Sequence, residues 1–219
     1  MKFTKTGSYT APKIEYSKDK KNWVNYSFGT NVSMSVGDKC YWRGNNLYFS
    51  QGRDSSYIRF SCDGDVEANG NIMSLLDKNC SKNDVPNYCF DGLFTDCTGL
   101  LTAPLLPATT LGEWCYDGMF VGCEKLAKCP DLPSTIITFR CYNNMFYNAG
   151  IVQGPSILPA TTLAKYCYSN MFFGCKKMTN VPVLPAINPV EGCYNCMFQG
   201  CESITESPYL SFTNIVNIN

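Results

Sequence analysis

CFDGLFTDC at 89–97, CYDGMFVGC at 115–123, CYNNMFYNA at 141–149, CYSNMFFGC at 167–175 and CYNCMFQGC at 193–201 are five versions of one phrase. Each begins 26 residues after the last, and the fifth period runs from Cys193 to Ile218. Each phrase runs on to a Pro-bearing tail: APLLPATTL at 103–111, CPDLPSTII at 129–137, PSILPATTL at 155–163, VPVLPAINP at 181–189 and SPYLSFTNI at 207–215. Repetition at a fixed period is the first thing to read in a sequence, because such a unit buries its apolar face only against its neighbours.

Within each unit the first, second, fifth, sixth and ninth positions are Cys, Tyr or Phe, Met or Leu, Phe, and Cys or Ala. At about 100° per residue these fall within one apolar arc, which predicts a short helix of about two turns. Gly122, Gly174 and Gly200 suit its end. The third, fourth and seventh positions, mostly Asp, Asn, Ser or Gly, are expected to face solvent. Truncating Asn143 or Ser169 would then cost under about 0.5 kcal/mol. An aliphatic residue follows at Leu100, Leu126, Val152, Met178 and Ile204, then Pro, which reads as a brief strand and a bend. Stacked at about 4.8 Å, five such coils would form an α/β solenoid, a leucine-rich-repeat-like stack roughly 24 Å long.

The phrase F-x-G-C-x-x-L (Phe120 to Leu126, with variants from Phe172 to Met178 and Phe198 to Ile204) and the linker L-P-A-T-T-L at 106–111 and 158–163 resemble the BspA-like leucine-rich repeat family. The resemblance covers residues 89–219, in a C-Y-x-x-M-F variant. It departs from the pattern at Ala149, at the early Pro155 and at Ser211-Phe212. It implies binding or adhesion, and it supplies no catalytic residue. Proteins of this plan are similar to gut-bacterial surface proteins and to structural proteins of their phages.

Residues 1–69 have another texture. Val32, Met34 and Val36, then Cys40 and Trp42, then Ile58 and Phe60 alternate, separated by turn clusters at 17–21, 36–39 and 43–46. This pattern predicts a small antiparallel, β-sandwich-like module. IEYSKDKKNWVNYS at 14–27 resembles a hairpin placed ahead of such repeats. The module would cap the open end of the array, with residues 70–88 as a lead-in coil. Asp63-Gly64-Asp65 reads as a hairpin turn, lacking the rest of a calcium loop.

Composition narrows the chemistry. Among 219 residues Lys+Arg and Asp+Glu are both 18, so net charge is zero and electrostatic capture of nucleic acid is not expected. There is no His, which removes Ser-His and Cys-His pairs and imidazole ligands. No apolar run reaches the ~20 residues of a membrane span, and MKFTKTGSYTAPK lacks the apolar core of a secretory signal. The 14 cysteines fall mainly in two columns, Cys89, Cys115, Cys141, Cys167 and Cys193, and Cys97, Cys123, Cys175 and Cys201. Their C-x7-C spacing is wrong for a metal site, and they read as small buried hydrophobes and free thiols. Cys193 and Cys196 form a C-x-x-C without a redox context. The Tyr/Phe columns read as core ladders rather than stacking platforms.

Two strips remain as a candidate binding surface: Val121, Tyr147 and Phe173 at the seventh position, and Leu105, Asp131, Ile157, Val183 and Tyr209 at the seventeenth. The last coil keeps Leu210, Phe212, Ile215, Val216 and Ile218 apolar, so this end is expected to be covered by a second copy or a virion partner. The expected function is non-enzymatic: a structural or recognition protein of a bacteriophage particle, such as a fibre or decoration protein, assembled in the bacterial cytoplasm. The alternative is a bacterial cell-surface adhesin; a glycan-active enzyme is a third reading, without a positioned acid/base pair. A host surface glycan or protein is the expected ligand. No metal, cofactor, nucleic acid or membrane span is expected.

Overall fold

The computed structural model describes residues 1–52 and 56–210. Strand β1 (Lys2–Lys5) pairs antiparallel with β5 (Ile58–Ser61), setting Phe3 opposite Phe60. Strand β2 (Ile14–Ser17) lies between β3 (Val24–Asn25) and β4 (Tyr41–Gly44), antiparallel to both. The β2–β3 turn closes on Asp19, whose Oδ1 accepts the amides of Lys21 and Asn22, each at 2.8 Å. Phe3 is the hub of this half. Its ring meets Trp42 at 4.9 Å, Phe60 at 5.1 Å and Phe49 at 5.9 Å, all edge to face, the arrangement ring quadrupoles favour. Val32, Met34 and Val36 form no strand: Val32 is buried, while Val36 projects fully into solvent. Asp63-Gly64-Asp65 is a bend between β5 and β6 (Val66–Glu67), which belong to different sheets, and not a hairpin turn.

The repeat units do not contain the expected helix. Among the described residues the only helical segment is a 3-10 turn at Ile72–Leu75, and the strands form four small sheets. An α-helix would satisfy every amide four residues back along its own chain. Here the amides alternate. Asp91, Leu93, Thr95 and Cys97 donate three residues back, to Tyr88, Phe90, Gly92 and Phe94. Phe90, Gly92, Phe94 and Asp96 donate instead to Cys115, Asp117, Met119 and Val121 of the following unit, at 2.7–2.9 Å. The same alternation recurs through the later units. The chain thus advances as a run of tight turns, and half its donors bind the neighbour.

Such a run needs a left-handed residue at every fourth position, and the sequence supplies it. Gly92, Gly118, Asn144, Asn170 and Cys196 have φ of 50° to 58°; Asp96, Gly122, Asn148, Gly174 and Gly200 have 54° to 78°. Gly, Asn and Asp enter this region most easily. The residue before each first Cys is left-handed too, in Tyr88, Trp114, Arg140, Tyr166 and Gly192. Parallel pairing beyond the turns is brief: β6 with β8 (Leu100–Thr102), β7 (Asp84–Val85) with β9 (Thr110–Leu111), and isolated bridges such as Ile157 with Val183.

This corrects the expected α/β solenoid of leucine-rich-repeat-like coils. The helix-plus-strand coil which that architecture requires is absent among the described residues, so the resemblance to the BspA-like family does not extend to the fold. The physical cause lies in the apolar spacing: positions one, two, five, six and nine lie on one face of a helix, but also on one side of a turn run. The apolar columns are buried in either case. Cys115, Met119, Phe120, Cys141, Met145 and Phe146 are sealed from water. Phe94, Phe120, Phe146 and Phe172 stack in parallel at 5.4–5.5 Å, and Tyr116, Tyr142 and Tyr168 at 5.7–5.9 Å. The second-column thiols donate to carbonyls of the preceding unit, Cys123 to Phe94 at 3.1 Å and Cys175 to Phe146 at 3.0 Å.

The polar third position is also buried in the first four units, against the expectation of a solvent-facing column; in the fifth, Asn195 is exposed. Asp91, Asp117, Asn143 and Ser169 are 1–4% exposed. Asn143 Nδ2 donates to Asp117 Oδ1 at 3.0 Å. Asn143→Ala removes a buried donor to a carboxylate, so it is expected to cost about 1–3 kcal/mol. Urea denaturation checks this; a loss within about 0.5 kcal/mol would place the side chain on the surface.

Candidate functional site

The N-terminal half meets the first unit along its open side. Ser50 and Phe60 donate their amides to the carbonyls of Cys89 and Leu93, and Phe60 and Phe49 pack on Phe94 and Phe90. β5 therefore lies beside the first unit as each unit lies beside the next. Because side chains alternate along a strand, Arg59 points away from the core that takes Ile58 and Phe60. Its Nη1 donates to the Asp91 carbonyl at 2.6 Å, and its guanidinium lies 4.1 Å from the centre of the Tyr57 ring. Gly92 makes room for it: a Cβ there would fall 2.5 Å from the guanidinium carbon.

Beside this contact runs a groove of about 520 Å³, lined by Tyr57, Arg59, Asp91, Gly92, Thr95, Asp117, Gly118, Val121, Asn144 and Tyr147. Asn144 Nδ2 reaches Asp117 Oδ1 at 3.3 Å, and Thr95 Oγ1 donates to the Gly118 carbonyl at 3.1 Å. Tyr147 is held from behind by Phe173, parallel at 4.7 Å. The groove thus combines two phenol rings with a guanidinium, an amide and a hydroxyl, over the buried carboxylates of Asp91 and Asp117, a lining that can stack on a ligand and exchange hydrogen bonds with it.

Of the sequence candidates, Val121 and Tyr147 line this groove, and Phe173 supports it. Leu105, Ile157, Val183 and Tyr209 are exposed elsewhere, on the bridge-paired stretches. Asp131 and Ile157 share a smaller cleft of about 180 Å³ with Pro133, Pro155 and Pro159. Phe212, Ile215, Val216 and Ile218 lie outside the described residues. Cys193 is buried and Cys196 exposed. Burial pushes the thiols of Cys89, Cys123, Cys141 and Cys175 up to about 12, so these columns hold protonated sulfur and no ready nucleophile.

Sequence reading missed Tyr57, Arg59, Asp91, Asp117 and Asn144. The Asp/Asn column was visible, but it was read as a solvated face. It also missed a surface ladder formed by the residue before each first Cys. Tyr88 stacks on Trp114 at 6.0 Å, and Arg140 lies 4.5 Å from Trp114 and 5.0 Å from Tyr166. These rings turn their faces to one another and to Arg140.

Among the described residues no three metal-ligating side chains converge, and no helix is long and apolar enough to cross a membrane. No family model, curated protein or solved structure matches this chain. A phage fibre or decoration protein, or an adhesin, built on leucine-rich-repeat coils requires an architecture that the described residues do not have.

Proposed function

We propose that this chain is a non-catalytic binding protein whose groove beside Arg59 takes a neutral, polyhydroxylated ligand of the saccharide class. The observation that supports it is the convergence of Tyr57 and Tyr147 with Asn144 and Thr95 in one groove. A sugar ring offers an apolar face for a tyrosine and hydroxyls that both donate and accept, so it suits a lining of mixed polarity. Arg59 lines the same groove as Asp91 and Asp117, so charges of both signs offset there and a neutral ligand is favoured over a free cation.

Glycan-array screening followed by titration calorimetry tests this. Asn144→Ala and Tyr147→Ala are each expected to weaken binding about five- to tenfold. Val183→Ser, on the distant strip, should leave it unchanged. A folded chain that retains no glycan would overturn the proposal. Release of reducing sugar from a bound oligosaccharide would overturn its non-catalytic part.

A further inference from the structure

Cys62 and Cys97 are 35 residues apart in sequence, yet their sulfurs lie 3.3 Å from each other. Cys62 follows the end of β5 and is half-buried; Cys97 closes the first repeat phrase and is buried. Main-chain hydrogen bonds bracket the pair. On one side Phe60 donates to the Leu93 carbonyl at 2.7 Å, and on the other Val66 donates to the Gly99 carbonyl at 2.9 Å. Gly99 permits this approach, since a Cβ there would fall 2.3 Å from the Gly64 carbonyl oxygen. Two clamped stretches of chain thus hold the sulfurs in contact. Sulfurs already in contact have only to close to a bond length of about 2.05 Å. The next thiol along the column, Cys123, donates to the Phe94 carbonyl.

We propose that Cys62 and Cys97 form a redox-sensitive disulfide that staples the N-terminal half to the first repeat unit. The oxidant is a low-molecular-weight disulfide. The more accessible Cys62, as thiolate, attacks one sulfur of the reagent, forms a mixed disulfide and expels one thiolate. Cys97 then gives up its proton to solvent and attacks the Cys62 sulfur, expelling the second thiolate. The protein loses two electrons and two protons, and the reagent is reduced to two thiols. Burial holds the Cys97 thiol above its ordinary range, so little of it is thiolate and the second step relies on the contact between the two sulfurs.

The test exposes the folded, reduced chain to oxidised glutathione. It then quenches in acid, alkylates remaining thiols in denaturant and maps peptides without reduction. Cys196, which is exposed, reports that the reagent reached the protein by forming its mixed disulfide. The expected result is a Cys62–Cys97 linked peptide that appears before any other internal bridge, is reversed by dithiothreitol and is lost in Cys62→Ser. Glutathionylated Cys196 with both Cys62 and Cys97 still alkylated would overturn the proposal. So would Cys62 trapped as its glutathione adduct, or another pair linking first.

Discussion

Alkali is expected to unfold this chain cooperatively between pH about 10 and pH about 12 under reducing, oxygen-free conditions. Burial raises the thiols of Cys89, Cys123, Cys141 and Cys175 from an ordinary 9.0 to about 12, because a thiolate in these columns would lose its hydration. Above pH 9 the unfolded chain releases these protons, while the folded chain keeps them. The native state then binds more protons, so stability falls as pH rises. The stabilisation is fully present below pH 9 and is lost as pH climbs towards 12. Each such thiol contributes a slope of about 1.4 kcal/mol per pH unit. Four acting together would exhaust a typical stability of about 5–15 kcal/mol within one to three units. Tryptophan fluorescence and circular dichroism across the range measure it. A native signal that persists above pH about 12 would show that these thiols are not shielded as described.

Phe146→Ala is expected to cost about 3–5 kcal/mol. Phe146 is sealed from water in the middle of the phenyl ladder, stacked at 5.4 Å on Phe120 and 5.5 Å on Phe172. Removing its ring strips contacts from two neighbouring units, and paired main-chain bonds on both sides limit collapse into the void. Ile157→Ala serves as the comparison. Ile157 is a bridge residue with 46% of its surface exposed, and its loss should be much smaller. Urea denaturation of both variants decides. Equal losses would mean that the ladder is not the core of the stack.

The groove illustrates what sequence reading could and could not reach. Tyr147 stood out because an aromatic residue occupied a position otherwise mixed. Asn144 and Asp117 were visible only as members of polar columns. Arg59 comes from β5, about 30 residues before the first unit, and Tyr57 immediately precedes that strand; no local pattern says which repeat it will lie against. The turn run had a signal that was passed over. Gly, Asn or Asp recurs at 92 and 96, 118 and 122, 144 and 148. That four-residue spacing suits left-handed residues better than it suits the interior of a helix.

By itself the sequence determined the 26-residue period and the columns that would be buried, because a residue repeated at one place in every unit must meet its own counterpart. Cys115, Tyr116, Met119 and Phe120 were core residues under any fold that stacks these units. Only the tertiary structure decided the path of the main chain between them. The same apolar spacing serves a helix and a run of turns. What separates them is where the amides of Phe90, Gly92, Phe94 and Asp96 find acceptors, and the carbonyls of the neighbouring unit supply these. That choice also buried Asp117 and Asn143. Once half the donors turn outward to a neighbour, the units approach closely enough to enclose side chains that a lone helix would leave in water.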